Sequence, residues 1–172
     1  MKTLILGGVK SGKSRHAQML ATQSDLPVTL LATALAQDAE MSERIERHKA
    51  DRPDDWIVVE EPYALGNAIE STYSTRACVI VDCLTLWLTQ LIILDDEKKF
   101  EHEKQALLNA FEAAKCELII VSNETSMGIV PLGELSRRYC DEAGMLHQQI
   151  AERCDKVVLS IAGLPLTLKG DS

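Results

Sequence analysis

Gly7-Gly8-Val9-Lys10-Ser11-Gly12-Lys13-Ser14 matches the pattern G-x-x-x-x-G-K-S/T, with Gly7, Gly12, Lys13 and Ser14 at its fixed positions. The flanks decide how it is read. Thr3-Leu4-Ile5-Leu6 is a short apolar run of strand type, and Arg15-His16-Ala17-Gln18-Met19-Leu20-Ala21 reads as helix. A strand, a glycine-bounded turn and a helix are what a phosphate cradle needs. Glycines let successive backbone N–H groups turn inward towards an anion, and the helix start adds the positive end of its dipole. In such a loop Lys13 reaches the outer phosphates, and the Ser14 hydroxyl helps to hold Mg2+. A functionless Gly/Ser/Lys-rich turn is the competing reading, and the order of the flanking elements speaks against it.

Outward from this loop, apolar runs alternate with helical patterns. The runs are 3–6, 28–32, 56–59, 77–81, 117–121 and 156–161, and the helical stretches are 13–24, 40–52, 63–73, 83–94, 97–115 and 132–154. This alternation predicts an α/β fold of the P-loop NTPase kind, a mostly parallel sheet with helices on both faces. Cys78-Val79-Ile80-Val81 and Leu118-Ile119-Ile120-Val121 are apolar throughout, as doubly covered strands should be. Pro165–Lys169 follows Ala162-Gly163 so closely that it predicts an antiparallel edge strand at the C-terminal side. The 172 residues suit a single domain, 1–172.

The net charge of −8 argues against a nucleic-acid binder, which needs a broad basic surface. The five cysteines form no C-x-x-C pair, which points to reduced thiols in a cytoplasmic protein rather than a disulfide frame or zinc site. The first residues do not read as a signal peptide. The apolar stretch 83–94 is too short to span a bilayer and reads as a buried helix.

Ligands of open α/β sheets sit beyond the carboxyl ends of the strands. Several runs here end in polar residues: Ala32-Thr33-Ala34, Glu60, Asp82 and Ser122-Asn123-Glu124. Asp82 follows its strand as a magnesium-positioning carboxylate does, or it caps the helix that follows. In the 40–52 helix, Arg44, His48 and Arg52 recur every fourth residue and share one face, which ends against Pro53. Such a stripe is either a salt-bridged surface, with Glu43, Glu46 and Asp51 as partners, or a phosphate-facing one. In the second case the guanidiniums hold an anion and disfavour the protonated imidazole, leaving it free to attack phosphorus. His16 and His102 read as packed or exposed helix residues.

These motifs together resemble one family, the bifunctional adenosylcobinamide kinase / adenosylcobinamide-phosphate guanylyltransferase of cobalamin assembly, the CobU type. The resemblance covers nearly the whole chain. It rests on Gly7 to Arg15, Ala32-Thr33-Ala34, Asp38 to His48 with Arg52-Pro53, Trp56 to Glu60, Val81-Asp82-Cys83-Leu84-Thr85-Leu86-Trp87-Leu88, Val121-Ser122-Asn123-Glu124 and Met127-Gly128-Ile129-Val130-Pro131. It implies an enzyme that phosphorylates the aminopropanol hydroxyl of adenosylcobinamide and transfers GMP from GTP to that phosphate through a GMP–histidine intermediate on His48. It implies that Gly7 to Ser14, that is Gly7, Gly8, Val9, Lys10, Ser11, Gly12, Lys13 and Ser14, bind the triphosphate. It implies that Ala32, Thr33, Ala34, Lys49, Ala50, Asp51 and Arg52 line the nucleotide site, that Glu60 and Asp82 contact nucleotide or Mg2+, and that the protein is a cytoplasmic homotrimer using GTP or ATP.

The sequence departs from the family at Lys10, where Arg is usual, at Thr125-Ser126, where Val-Gly is common, and at His147, which stands where Asn is usual. Two rivals remain. One is a P-loop small-molecule kinase with no covalent histidine. The other is a nucleotide-gated binding protein, weakened because Ser122-Asn123-Glu124-Thr125 lacks the Asn-Lys-x-Asp guanine reader.

Overall fold

The computed structural model describes residues 1–35, 39, 43, 53–72 and 76–171. Seven strands form one sheet: β1 (Lys2–Gly7), β2 (Val28–Ala32), β3 (Ile57–Glu60), β4 (Cys78–Asp82), β5 (Glu117–Asn123), β6 (Lys156–Ile161) and β7 (Leu164–Lys169), in the spatial order β3-β2-β4-β5-β1-β6-β7. The described helices are α1 (Lys13–Gln23), α2 (Leu65–Thr72), α3 (Leu84–Ile93), α4 (Glu97–Ala113) and α5 (Glu134–Arg153). Strands β1 to β6 pair in parallel, and β7 returns antiparallel to β6. The expected edge hairpin is present, its turn formed by Ala162 and Gly163, both at positive φ, as a two-residue turn between twisted strands requires. The expected helix over 40–52 lies outside the described residues.

The period-two geometry of the strands divides the core. Leu4, Leu6, Leu31, Val79, Val81, Leu118, Ile120, Val157 and Leu159 point to one face, where α2, α3, α4 and α5 cover them. Ile5, Val28, Leu30, Cys78, Ile80, Ile119 and Val121 point to the other and meet Ala17 and Ala21 of α1. Consecutive strand residues are thus buried on opposite sides, which is why these runs are apolar without alternation. On the larger side Trp87 is fully buried and donates its indole N–H to the Tyr63 carbonyl at 2.7 Å, so the one polar group it takes into the core is satisfied. At Gly66 the backbone of α2 lies so close to α4 that a Cβ would stand 2.5 Å from the Ala106 carbonyl carbon. The edge strand β3 is largely exposed. Cys83, not Asp82, occupies the N-cap position of α3, and its side chain makes no capping hydrogen bond.

Candidate active site

Parallel pairing brings the carboxyl ends of six strands to one edge. The registers place Gly7 beside Asn123 on one side and Ser160 on the other, Asp82 beside Val121 and Ala32, and Ala32 beside Glu60. The polar strand-end residues therefore form a row. At about 4.8 Å per strand, Asp82 stands roughly 10 Å along the sheet from β1 and Glu60 roughly 19 Å. Lys13 and Asp82 can work on the same phosphate–metal group, whereas Glu60 is exposed and can meet only a distant part of an extended ligand.

The phosphate loop runs from Gly7 to α1. Gly7 has φ 154° and Gly12 φ 97°, and Lys10 adopts the left-handed conformation at φ 54°. A Cβ on Gly7 would lie 2.4 Å from the Ser160 carbonyl oxygen and 2.6 Å from Ser11 Oγ, so that position excludes any side chain. Gly12 begins α1 with no side-chain cap, and the first turn carries no acidic residue. The first N–H groups of the helix are thus open to an anion, with the dipole in its favour.

Lys13 folds back over the loop and donates from Nζ to the Gly8 carbonyl at 2.6 Å. It is only 7% exposed. Burial holds its ammonium below the ordinary lysine range, while the negative charge of Cys83 (as thiolate) and of Asp82 would work the other way. A triphosphate in the loop would repay the buried charge directly. Gly8, Val9 and Lys10 are exposed, and Ser14 and Asp82 are half-buried. Ser11 Oγ is buried with no hydrogen-bond partner among the described residues.

The edge is held from behind by contacts that sequence reading did not find. Ser160 Oγ donates to the Ser11 carbonyl at 2.7 Å, and the Gly163 N–H donates to the same carbonyl at 2.9 Å. Thr33, the middle residue of the expected Ala32–Ala34 segment, is fully buried. Its hydroxyl donates to the Cys83 carbonyl at 2.7 Å and accepts from the Cys83 N–H at 3.0 Å, and its own carbonyl accepts from Gln90 Nε2 at 2.7 Å. Thr33 thereby fixes the chain immediately after Asp82. Thr85 Oγ1 accepts from the Asn123 N–H at 2.7 Å and lies 3.5 Å from Ser122 Oγ, which lies 2.8 Å from His147 Nε2. His147, of open meaning in the sequence, is buried, and that burial holds its imidazole below the ordinary histidine range against an opposing pull from Glu124. No signal in one sequence pairs residues 11 and 160, or 122 and 147. His102 is exposed and His16 half-buried.

His48, Lys49, Ala50, Asp51 and Arg52, with Arg44, lie outside the described residues. All five cysteines are free. Burial pushes Cys83 to about 11 and Cys154 to about 12, which keeps them as thiols at neutral pH. Among the described residues no cluster of three or more His, Cys, Asp or Glu side chains could hold a metal on its own, and no helix is long and apolar enough to cross a membrane.

A glycine-bounded loop with an uncapped helix start and a buried lysine, at the carboxyl edge of a parallel sheet, defines a P-loop nucleotide-binding protein. Solved structures agree on the fold. A protein from Pyrococcus horikoshii superposes with a TM-score of 0.58 at 10% identity, covering 99% of this chain and 87% of that one. The RadB recombinase superposes with a TM-score of 0.54 at 15% identity, covering 92% and 73%. The sequence model of the CobU family, cobinamide kinase / cobinamide phosphate guanyltransferase, matches residues 3–168, and the chain belongs to that family of enzymes. It is 53% identical over 171 residues to the bifunctional adenosylcobalamin biosynthesis protein CobP of Pseudomonas aeruginosa, covering 99% of both chains. It is 34% identical to the bifunctional adenosylcobalamin biosynthesis protein CobU of Escherichia coli, over 98% of this chain and 100% of that one.

Proposed function

We propose that this chain, as a single domain of residues 1–172, phosphorylates adenosylcobinamide and then transfers GMP from GTP to adenosylcobinamide phosphate, releasing pyrophosphate. The observation that carries the reading is the loop geometry in a chain of this family: Gly7 and Gly12 shape a cradle, and Lys13 is buried over it on the side of Asp82. In the first reaction the loop amides and Lys13 neutralise and align the triphosphate while the acceptor hydroxyl attacks the terminal phosphorus. The Ser14 hydroxyl and the Asp82 carboxylate are hard oxygen donors at the same edge and suit Mg2+, with phosphate oxygens and water completing the shell. The ion would supply charge neutralisation on the phosphates. That Asp82 is not the cap of α3 leaves its carboxylate available for this role.

In the second reaction the His48 imidazole attacks the α-phosphorus of GTP. The N–P bond forms as the bond to the β-phosphate oxygen breaks, and pyrophosphate leaves. The phosphate of the acceptor then displaces the histidine, giving adenosylcobinamide-GDP and the free imidazole. Splitting one displacement into two gives each step a good leaving group. Arg44 and Arg52, four residues to either side, favour the neutral nucleophilic ring. Ala32, Ala34, Lys49 to Arg52 and Glu60 line the rest of the nucleotide site in this reading, with the buried Thr33 holding the segment in place from behind. The protein works in the cytoplasm as a homotrimer, with GTP or ATP as phosphoryl donor.

The test is α-labelled GTP with Mg2+, followed by denaturation. Label should stay on the chain, be acid-labile and base-stable, and vanish in His48→Asn while phosphorylation of cobinamide by GTP persists. Label retained in His48→Asn excludes that residue as the carrier; absence of label from the wild type removes the covalent step altogether.

A further inference from the structure

The reaction needs a second substrate at the carboxyl edge, and the phosphate loop accounts only for the first. Between α3 and α5, under the segment that leaves β5, lies a cavity of about 340 Å3. Ile92, Ile93, Pro131 and Leu135 form its walls, and Thr125 and Tyr139 add polar groups. Among the described residues none of its lining is charged, so it is unsuited to a phosphate or a second nucleotide and suits a neutral, largely apolar group. The Arg137 guanidinium donates to the Pro131 carbonyl at 3.2 Å, which anchors the outer wall to α5.

Its position connects it to the chemistry. Thr125 follows Glu124, whose N–H donates to the Gly7 carbonyl at 3.0 Å, and Asn123, whose N–H donates to Thr85 Oγ1. One segment therefore forms both an edge of the phosphate loop and an edge of the cavity. The Tyr139 hydroxyl lies beside the Thr85 and Thr125 side chains and is buried without a hydrogen-bond partner among the described residues. Such a hydroxyl is completed by a ligand amide or alcohol. Beyond the cavity the apolar surface continues: Ile129, Val130 and Leu132 are 97%, 72% and 98% exposed. A ligand larger than the cavity would cover them.

We propose that this cavity and its apolar rim seat the phosphoryl acceptor, with an uncharged apolar edge of the corrinoid in the cavity and one of its amide or hydroxyl groups on Tyr139. The proposal rests on the functional reading above. It makes Tyr139 and the cavity walls determinants of acceptor affinity, separate from the nucleotide grip.

Two variants test it in the full-length protein. Ser136 lines the cavity from an exposed position on α5, so Ser136→Trp fills it with little risk to folding; Tyr139→Phe removes only the hydroxyl. Cobinamide and GTP are varied in two-substrate kinetics, cobinamide binding is read by equilibrium dialysis through its visible absorbance, and subunit association is followed by sedimentation. The expected result is a KM and Kd for cobinamide at least tenfold higher in Ser136→Trp and severalfold higher in Tyr139→Phe, with the KM for GTP within twofold of wild type and sedimentation unchanged. Wild-type cobinamide affinity in folded Ser136→Trp overturns the proposal. So does an equal rise in the KM for GTP, or a loss of subunit association that accounts for the effect by making the patch an interface between copies. If the wild type binds cobinamide in a Ser136→Trp-sensitive way but does not turn it over, the cavity assignment stands and the catalytic reading fails. If it turns cobinamide over and both variants match it, the cavity assignment alone fails.

Discussion

Ser160 Oγ donates a 2.7 Å hydrogen bond to the carbonyl of Ser11, across 149 residues of sequence. The two strands that end the chain thus hold the loop that begins it, because the Gly163 N–H reaches the same carbonyl from the β6–β7 turn. A phosphate cradle acts through fixed N–H directions, so a loop braced from behind loses less freedom when a triphosphate arrives.

Ser160→Ala removes one of these two donors at a position only 2% exposed. A buried hydrogen bond of this kind contributes about 1 kcal/mol. The expected outcome is a loss of about that size in thermal or denaturant unfolding, together with a severalfold rise in the KM for GTP. A fall in stability with an unchanged KM would show that the brace serves the fold alone.

Gly7 and Gly8 are adjacent but should respond differently to alanine. A Cβ on Gly7 meets backbone and side-chain atoms at 2.4 and 2.6 Å, at φ 154°; a Cβ on Gly8 meets nothing within 4 Å. Gly7→Ala must shift the loop or strand β6, with an overpacking cost of about 1–3 kcal/mol and a loss of nucleotide binding of at least tenfold. Gly8→Ala should unfold within about 0.5 kcal/mol of wild type, as substitutions in open space do. Calorimetric titration with GTP and urea unfolding of both variants check the contrast.

His147 makes stability depend on pH in a defined direction. Burial holds its folded-state pKa below the ordinary 6.5, with Glu124 opposing. Above 6.5 the imidazole is neutral in both states. As pH falls through 6.5, the unfolded chain takes up a proton that the folded ring refuses, so unfolding is favoured until the folded pKa is passed. His16 is shifted the same way, its burial acting first and Lys156 second, so the variant, not the wild-type profile alone, isolates the effect. His147→Asn keeps a group able to bond Ser122 and does not titrate. Its melting temperature should fall less than that of the wild type between pH 7.5 and pH 5. Parallel profiles would show that His147 does not carry the effect.

Much of this architecture was legible in the chain. The runs 28–32 and 156–161 coincide with β2 and β6, and the described helices begin and end within about two residues of their expected limits. Local patterning is strong wherever a strand is buried on both faces, because no polar residue is tolerated on either side. The phosphate loop was legible for a related reason: its backbone conformation admits few residue types. The sequence admits Asp82 as metal ligand or as helix cap, and the structure, with Cys83 at the cap position, removes the second. Ser160, Gln90, Thr85 and the Ser122–His147 pair were not legible, since each depends on which strand lies beside which.

By itself the amino-acid order determined the alternation of strand and helix, the glycine positions of the loop and the family, since these rest on local sterics and on motifs contiguous in the chain. Only the tertiary structure decided that β5 and β6 flank β1, that Ser160 and Gly163 brace Ser11, that Glu60 stands several strands away from Lys13, and that a cavity with no charged lining among the described residues opens beside the phosphate edge. Pairing across a sheet is settled by the packing of whole faces against one another, and that selection acts on contacts between residues far apart in the chain, which no local pattern records.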